Sequence, residues 1–271
     1  MSSDQSNAPL KVGDAFRAGR LDEAVTAATA MVKAKPTDIA ARVLLVEMLV
    51  FAGNFERADV LLDAAGQLDP AAALVVAEFR QLLRGEMARR QLYRDGRVPE
   101  FLGEPGVVER ALLAALVALR AGDDAAALRE AEAAEAARAT RAGEADGVAF
   151  TDFRDASDLT AGVLEILTTT GKYFWVPISR VTEITFHPPT RPRDLIWRRA
   201  SLAVEAGPDG DVYIPVTYAS SDDGLAAAYR LGRATDWQDR GGVVTGIGQR
   251  EFLVGDAAVP IMELGRLVFA Q

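Results

Sequence analysis

The 271-residue chain contains no cysteine. That excludes disulfides, thiolate catalysis and every cysteine-ligated zinc or iron–sulfur site. Histidine occurs once, at His187, so chemistry built on paired imidazoles is excluded too. Long apolar runs are missing: the longest, residues 111–119, has nine residues, against the roughly 18 needed to cross a bilayer. The opening MSSDQSNAPLKV is polar and lacks the charged-then-apolar layout of a secretion signal, so a soluble, cytoplasmic protein is expected. Basic excess is missing as well. The net charge is −9, with 18 basic and 22 acidic side chains in residues 1–145 and 12 and 17 in residues 146–271. Nucleic acid and anionic membrane, which are held through clustered lysine and arginine, are therefore not expected as partners.

What is present is an apolar fraction of 49%, enough for packed interiors, distributed in two styles. Up to about Gly143 the chain is rich in alanine and leucine at helical spacing; from about Asp146 it turns to β-branched and aromatic runs cut by glycine and proline. The pattern predicts an α+β protein with a helical-repeat domain over 1–145 and a β-rich antiparallel domain over 146–271. In the first part, Gly19, Ala24 and Pro36 recur as Gly53, Ala58 and Pro70, displaced by 34 residues. The units "GRLDEAVTAATAMVKAKP" and "GNFERADVLLDAAGQLDP" resemble the second helix of a tetratricopeptide repeat. A further copy is expected at Gly122 and Ala127, with a degraded stretch, "RGEMARRQLYRDG", between.

A single helix pair cannot bury its apolar stripe, so such units stack and share it. The segment "DIAARVLLVEMLVFAG", apolar nearly all round, is expected inside the stack, and "ALREAEAAEAARATRAG" at its solvated end. Two roles fit a stack of this kind: a concave groove for a peptide or helix, or an N-terminal brace for the second half. By analogy with the repeat register, Val43, Glu47, Val50 and Phe51 would face the groove.

In the second part, Asp152, Asp155 and Asp158 invite a metal or acid–base reading, and with the arginines near 191–199 they would make a small-molecule or metal-dependent hydrolase. The alternative is helix capping: Asp155 as N-cap, Asp158 in the first turn, then Leu159, Val163, Ile166 and Leu167 at helical spacing, with Gly171 ending the helix. "KYFWV" reads as a buried strand stopped by Pro177, "PISRV" as one turn with Ile178 and Val181 inward, and "TEITF" as a returning strand that leaves His187 leaning outward. A hairpin follows, with Ala200, Leu202 and Val204 alternating inward, a turn at 207–210, and Val212, Ile214, Val216 and Tyr218 returning. Arg191, Arg193, Arg198 and Arg199 precede or enter it, as an anion site or as internal ion pairs. The glycines at 241–248 lack the lysine and the opening helix of phosphate loops, and no G-x-S-x-G elbow occurs.

The strings "TGKYFWVPISRVTEITFHPP", "RDLIWRRA", "GDVYIPVTYASS", "LGRATDW" and "GIGQREFLVGD", in that order over roughly residues 150–256, resemble the ImpE family, also called TagJ, accessory proteins of bacterial type VI secretion. The resemblance implies a non-catalytic cytoplasmic adaptor without metal or cofactor. Its implied partner is the N-terminal helical segment of the small contractile-sheath subunit, with an indirect link to the AAA+ ATPase that disassembles sheaths. Trp175, Trp197 and Trp237 are expected as anchors of the β-rich core.

Overall fold

The computed structural model describes residues 11–220 and 224–270. Helices come first: α1 (Val12–Arg17), α2 (Leu21–Ala34), α3 (Ile39–Phe51), α4 (Phe55–Leu68), α5 (Ala73–Asp95), α6 (Val107–Ala121) and α7 (Asp124–Ala137). By compactness the chain divides into two units, residues 1–80 and 81–271, and the division falls inside α5. Helix gives way to strand between Ala137 and Gly143. The cut by composition at 145/146 and the cut by packing at 80/81 are thus different, and α6 and α7 belong to the β-rich unit.

In the first unit the 34-residue spacing has a conformational cause. Gly19 and Gly53 both sit at φ 77°, in the left-handed region that favours glycine. At each, the glycine N–H returns to a carbonyl three residues back (Phe16 or Val50), and the next N–H to one five back (Ala15 or Leu49), closing the helix end. Asn54 then caps α4 by accepting from the Arg57 N–H, as Asp38 does for α3 at Ala41. Ala24, Ala28 and Ala58 are fully buried, and their lack of side-chain bulk lets neighbouring helices approach. Arg80 forks onto Asp59 and reaches Asp63 at 2.6 Å, tying α5 to α4.

In the second unit Gly122, at φ 78°, repeats that helix end between α6 and α7, as the third repeat copy requires. The degraded stretch is continuous helix of α5 as far as Asp95, and its last residue, Gly96, follows the helix end at φ 79°. The strands are β1 (Gly143–Ala145), β2 (Val148–Phe150), β3 (Phe153–Asp155), β4 (Val163–Thr168), β5 (Tyr173–Pro177), β6 (Val181–Phe186), β7 (Trp197–Val204), β8 (Gly210–Pro215), then β9 (Thr235–Arg240), β10 (Val243–Gly248), β11 (Glu251–Val254), β12 (Ala257–Pro260) and β13 (Arg266–Phe269), with the short α8 (Ala227–Arg230) between β8 and β9. Eight strands form one antiparallel sheet, ordered β2-β1-β13-β6-β7-β8-β4-β5; β12-β11-β3 and β10-β9 make smaller ones. The outer edge of β5 is covered by Glu100, whose N–H and C=O bond the backbone of Tyr173 and Trp175. The core gathers Phe150, Phe153, Phe252 and Phe269 with the inward residues of β4 to β8. Phe153 stacks on Phe252 with centroids 5.0 Å apart.

The hairpin forms, with Ala200 opposite Val212, both buried, and Gly210 already in the second strand opposite Leu202; the strand, turn and strand of residues 173–186 are present with Ile178 and Val181 buried. The helix predicted from Asp155 to Gly171 does not form. That stretch is the end of β3, a 3₁₀ turn over Asp158–Thr160, and β4. Strand β4 lies between β5 and β8 and is buried from Val163 to Leu167, so it shows no alternation, and its continuous apolar run imitates helical spacing. Gly171 instead supplies φ 82° in the tight β4–β5 turn. Trp175 and Trp197 are core anchors, but Trp237 is not: it stands on β9, whose side chains mostly face solvent.

Candidate functional site: a cleft above a buried ionic hub

A carboxylate in the middle of a doubly buried strand demands a cation. Glu165 on β4 is 1% exposed, and Arg89 of α5 forks onto it with two bonds of 3.1 Å. Arg250, between β10 and β11 and fully buried, bridges Glu165 to Asp155 at the end of β3. Tyr93 donates to Glu165 at 3.0 Å, Tyr173 donates to the same oxygen, and the Trp175 indole N–H donates to the Tyr173 hydroxyl at 2.6 Å. Glu86 accepts from Arg89 at 3.3 Å and from the Trp197 indole N–H at 3.1 Å. Asp155 accepts from the Ser157 N–H at 2.9 Å and lies 3.0 Å from the Tyr218 hydroxyl, which accepts from the Glu251 N–H. The hub joins α5 to β3, β4, β5 and β7 of the same unit.

Its protonation follows from this geometry. Burial alone would raise the Glu165 carboxyl, but the guanidiniums of Arg89 and Arg250 overcome that and hold it down at about 2. For Asp155 burial prevails over Arg250 and the bonds from Ser157 and Tyr218, and its carboxyl sits above the ordinary range. Burial, with the Glu165 charge behind it, pushes the Tyr93 and Tyr173 hydroxyls well up, so both remain donors. The charges face one another, and the chemistry this set performs is to hold backbone segments together.

The three aspartates do not converge. Asp152 is taken by Arg138 at 2.7 and 2.9 Å and by the Arg141 N–H; Asp155 belongs to the hub; Asp158 accepts from Arg154 at 2.9 Å and from the Val244 N–H at 2.7 Å. Among the described residues no group of three or more histidines, aspartates or glutamates is placed to hold a metal ion. The Nε2 of His187 lies 2.9 Å from Ser201 Oγ, which donates to Asp211 at 2.8 Å. Serine thus stands between histidine and carboxylate, the wrong order for a nucleophile activated by a base. Arg199 pairs with Asp211, and Arg198 donates to the Ile261 and His187 carbonyls and lies over the Phe186 ring, so these two arginines of the cluster are engaged within the protein.

Of the residues expected to face a groove, Val43 is half-buried and Glu47, Val50 and Phe51 are buried. The Phe51 ring lies 5.1 Å from that of Phe16. Helix α3 is apolar nearly all round and its second half fills an interior, so Glu47, Val50 and Phe51 are covered while Val43 is partly exposed.

Over the hub lies an open cleft of about 570 Å³ in the second unit. Tyr93 and Tyr218 form its floor above Glu165 and Asp155, Leu116 and Leu159 add apolar surface, and Trp237 and Arg120 stand at its walls. A smaller cavity of about 350 Å³ lies near Val107, Gly162 and Ile178, where Arg138 is held by Asp152 and Glu135 and Arg180 by the carbonyls of Leu102 and Glu205. Sequence reasoning misses the hub arginines, Arg89 and Arg250. The one signal it offers is Glu165 inside "VLEIL", a charge in an apolar run.

Tetratricopeptide-type helix pairs followed by an antiparallel β body with an ionic interior define the class: a helical-repeat protein carrying a β domain. The Tetratricopeptide repeat model matches residues 15–78 and the ImpE protein model residues 147–268. The chain is 32% identical over 265 residues to the Type VI secretion system accessory component TagJ of Pseudomonas aeruginosa, covering 98% of this chain and 93% of that protein. The crystal structure of VPA1032 from Vibrio parahaemolyticus superposes with a TM-score of 0.90 at 28% identity, over 96% of this chain and 97% of that one. The chain belongs to the ImpE/TagJ family of type VI secretion accessory proteins. No helix among the described residues is long and apolar enough to cross a membrane.

Proposed function

We propose that this protein is a non-catalytic adaptor of a bacterial type VI secretion system, working in the cytoplasm. It binds a helical segment of the small contractile-sheath subunit and links that subunit to ATPase-driven sheath disassembly. The observation that carries the reading is the similarity to an accessory component along 98% of the chain, both parts included. Its physical support is that the ionisable groups of the hub are engaged with one another, holding strands and helix of the second unit together. The hydrolase alternative loses its motivation, because its three aspartates are bound separately by Arg138, Arg250 and Arg154. The test is a calorimetric titration of the purified protein with the sheath subunit's N-terminal helix. A saturable heat is expected, and no heat at high micromolar concentration would overturn the proposal.

A further inference from the structure

We propose that the cleft walled by Trp237 and Arg120 is where a protein partner docks, through an amphipathic segment that sets apolar side chains beside a carboxylate. The proposal rests on the adaptor reading and adds the surface and the chemistry it selects. Trp237 is 39% exposed, whereas Trp175 and Trp197 are at 0% and 1%. Its ring stands 5.8 Å from that of Tyr218, tilted by 58°. Tyr218 is fixed from beneath, since its hydroxyl is engaged by Asp155 and the Glu251 N–H. It is also fixed from the side, because Gly246 leaves room for the ring where a Cβ would come within 2.0 Å. Tyr218, on which the Trp237 ring leans, therefore loses little freedom on binding, which favours affinity.

The charge of the wall selects the partner. Arg120 is exposed, donates to the Leu92 carbonyl at 3.3 Å and meets no carboxylate among the described residues. Its neighbour Arg240 is held by Asp124 and the Leu119 carbonyl, both at 3.0 Å. In a chain of net charge −9, a guanidinium beside apolar Leu116 and Leu159 is a local exception that attracts an anion and orients it. Tryptophan, tyrosine and arginine around a depression are the residue types that dominate binding energy at protein interfaces. In the smaller cavity Arg138 is paired with Asp152 and Glu135, and Arg180 is held by three carbonyls, of Leu102, Glu205 and Ala206, where Arg120 donates to one.

Two probes test this. The first is the full-length small sheath subunit of the same secretion system, titrated against the wild type, Trp237→Ala and Arg120→Glu. The second is a pair of synthetic helices of about 18 residues with leucines at i, i+3, i+4 and i+7, flanked by glutamate in one and lysine in the other. Both variants should weaken sheath-subunit binding by about tenfold or more with unchanged melting. The wild type should prefer the glutamate helix, and Arg120→Glu the lysine helix. Sheath-subunit binding by both variants at wild-type strength would overturn the cleft while leaving the adaptor reading intact. A silent sheath subunit with an Arg120-dependent preference between the helices would remove that partner and keep the cleft. If neither probe binds the wild type, both proposals fall.

Discussion

Arg250→Met tests the hub most directly, because it removes one cation from between two buried carboxylates and keeps most of the side chain's bulk. Glu165 would retain the Arg89 fork and two tyrosine hydroxyls, whereas Asp155 would keep only the Ser157 N–H and the Tyr218 hydroxyl. The loss therefore falls mainly on Asp155. Removing one partner of a buried pair costs about 3–5 kcal/mol, a large part of the roughly 5–15 kcal/mol that holds a domain folded. Urea unfolding, followed by the fluorescence of the buried Trp175 and Trp197, should show a lower midpoint with an unchanged slope. Adding Asp155→Asn should recover part of the loss, because the stranded charge is gone. The pH dependence has a definite sign. Without Arg250 the Asp155 carboxyl, already raised by burial, rises further, so the native state binds its proton more tightly than the unfolded chain. The variant's deficit should then narrow as pH falls from neutrality toward the ordinary carboxylate range. A loss below about 1 kcal/mol, or a second substitution that adds its full cost, would refute the hub as an electrostatic unit.

Glu165 predicts acid behaviour of the opposite sign. With its carboxyl at about 2 against an ordinary 4.5, it contributes about 3 kcal/mol, present above the ordinary value and lost as pH falls toward 2; melting temperature against pH should drop over that window, with a flatter slope in Glu165→Gln. Phe51→Asp should unfold the helical repeat rather than merely weaken a partner's grip. The ring is 4% exposed and packs on Phe16, so a cost of about 3–5 kcal/mol is expected, read as lost far-ultraviolet helicity; a wild-type spectrum and melt would show that position 51 faces outward.

Local rules make much of this fold legible in the order of its residues. The 34-residue period is visible because each helix end needs a left-handed backbone, which selects glycine at 19 and 53 and again at 122. The first strand of the 197–215 hairpin is visible because burial alternates along it from Arg199 to Val204, whereas Val212 to Pro215 of the second are all buried. Strand β4 imitates a helix because burial on both faces removes alternation. The groove assignment of Val43, Glu47, Val50 and Phe51 rests on repeat register, which says which residues are apolar and not which layer of helices covers them.

Sequence alone determined the periodic helix ends, the presence of the hairpin, the lack of thiol chemistry and the family strings, since each depends on residue types or on residues close together in the chain. Tertiary structure alone decided that Arg89, Asp155, Glu165 and Arg250, up to 161 positions apart, meet in one buried cluster, and that Trp237 stays at the surface while Trp175 and Trp197 do not. The physical reason is desolvation. Whether a charge or a ring is buried depends on what the rest of the chain lays over it, and no local pattern encodes that covering.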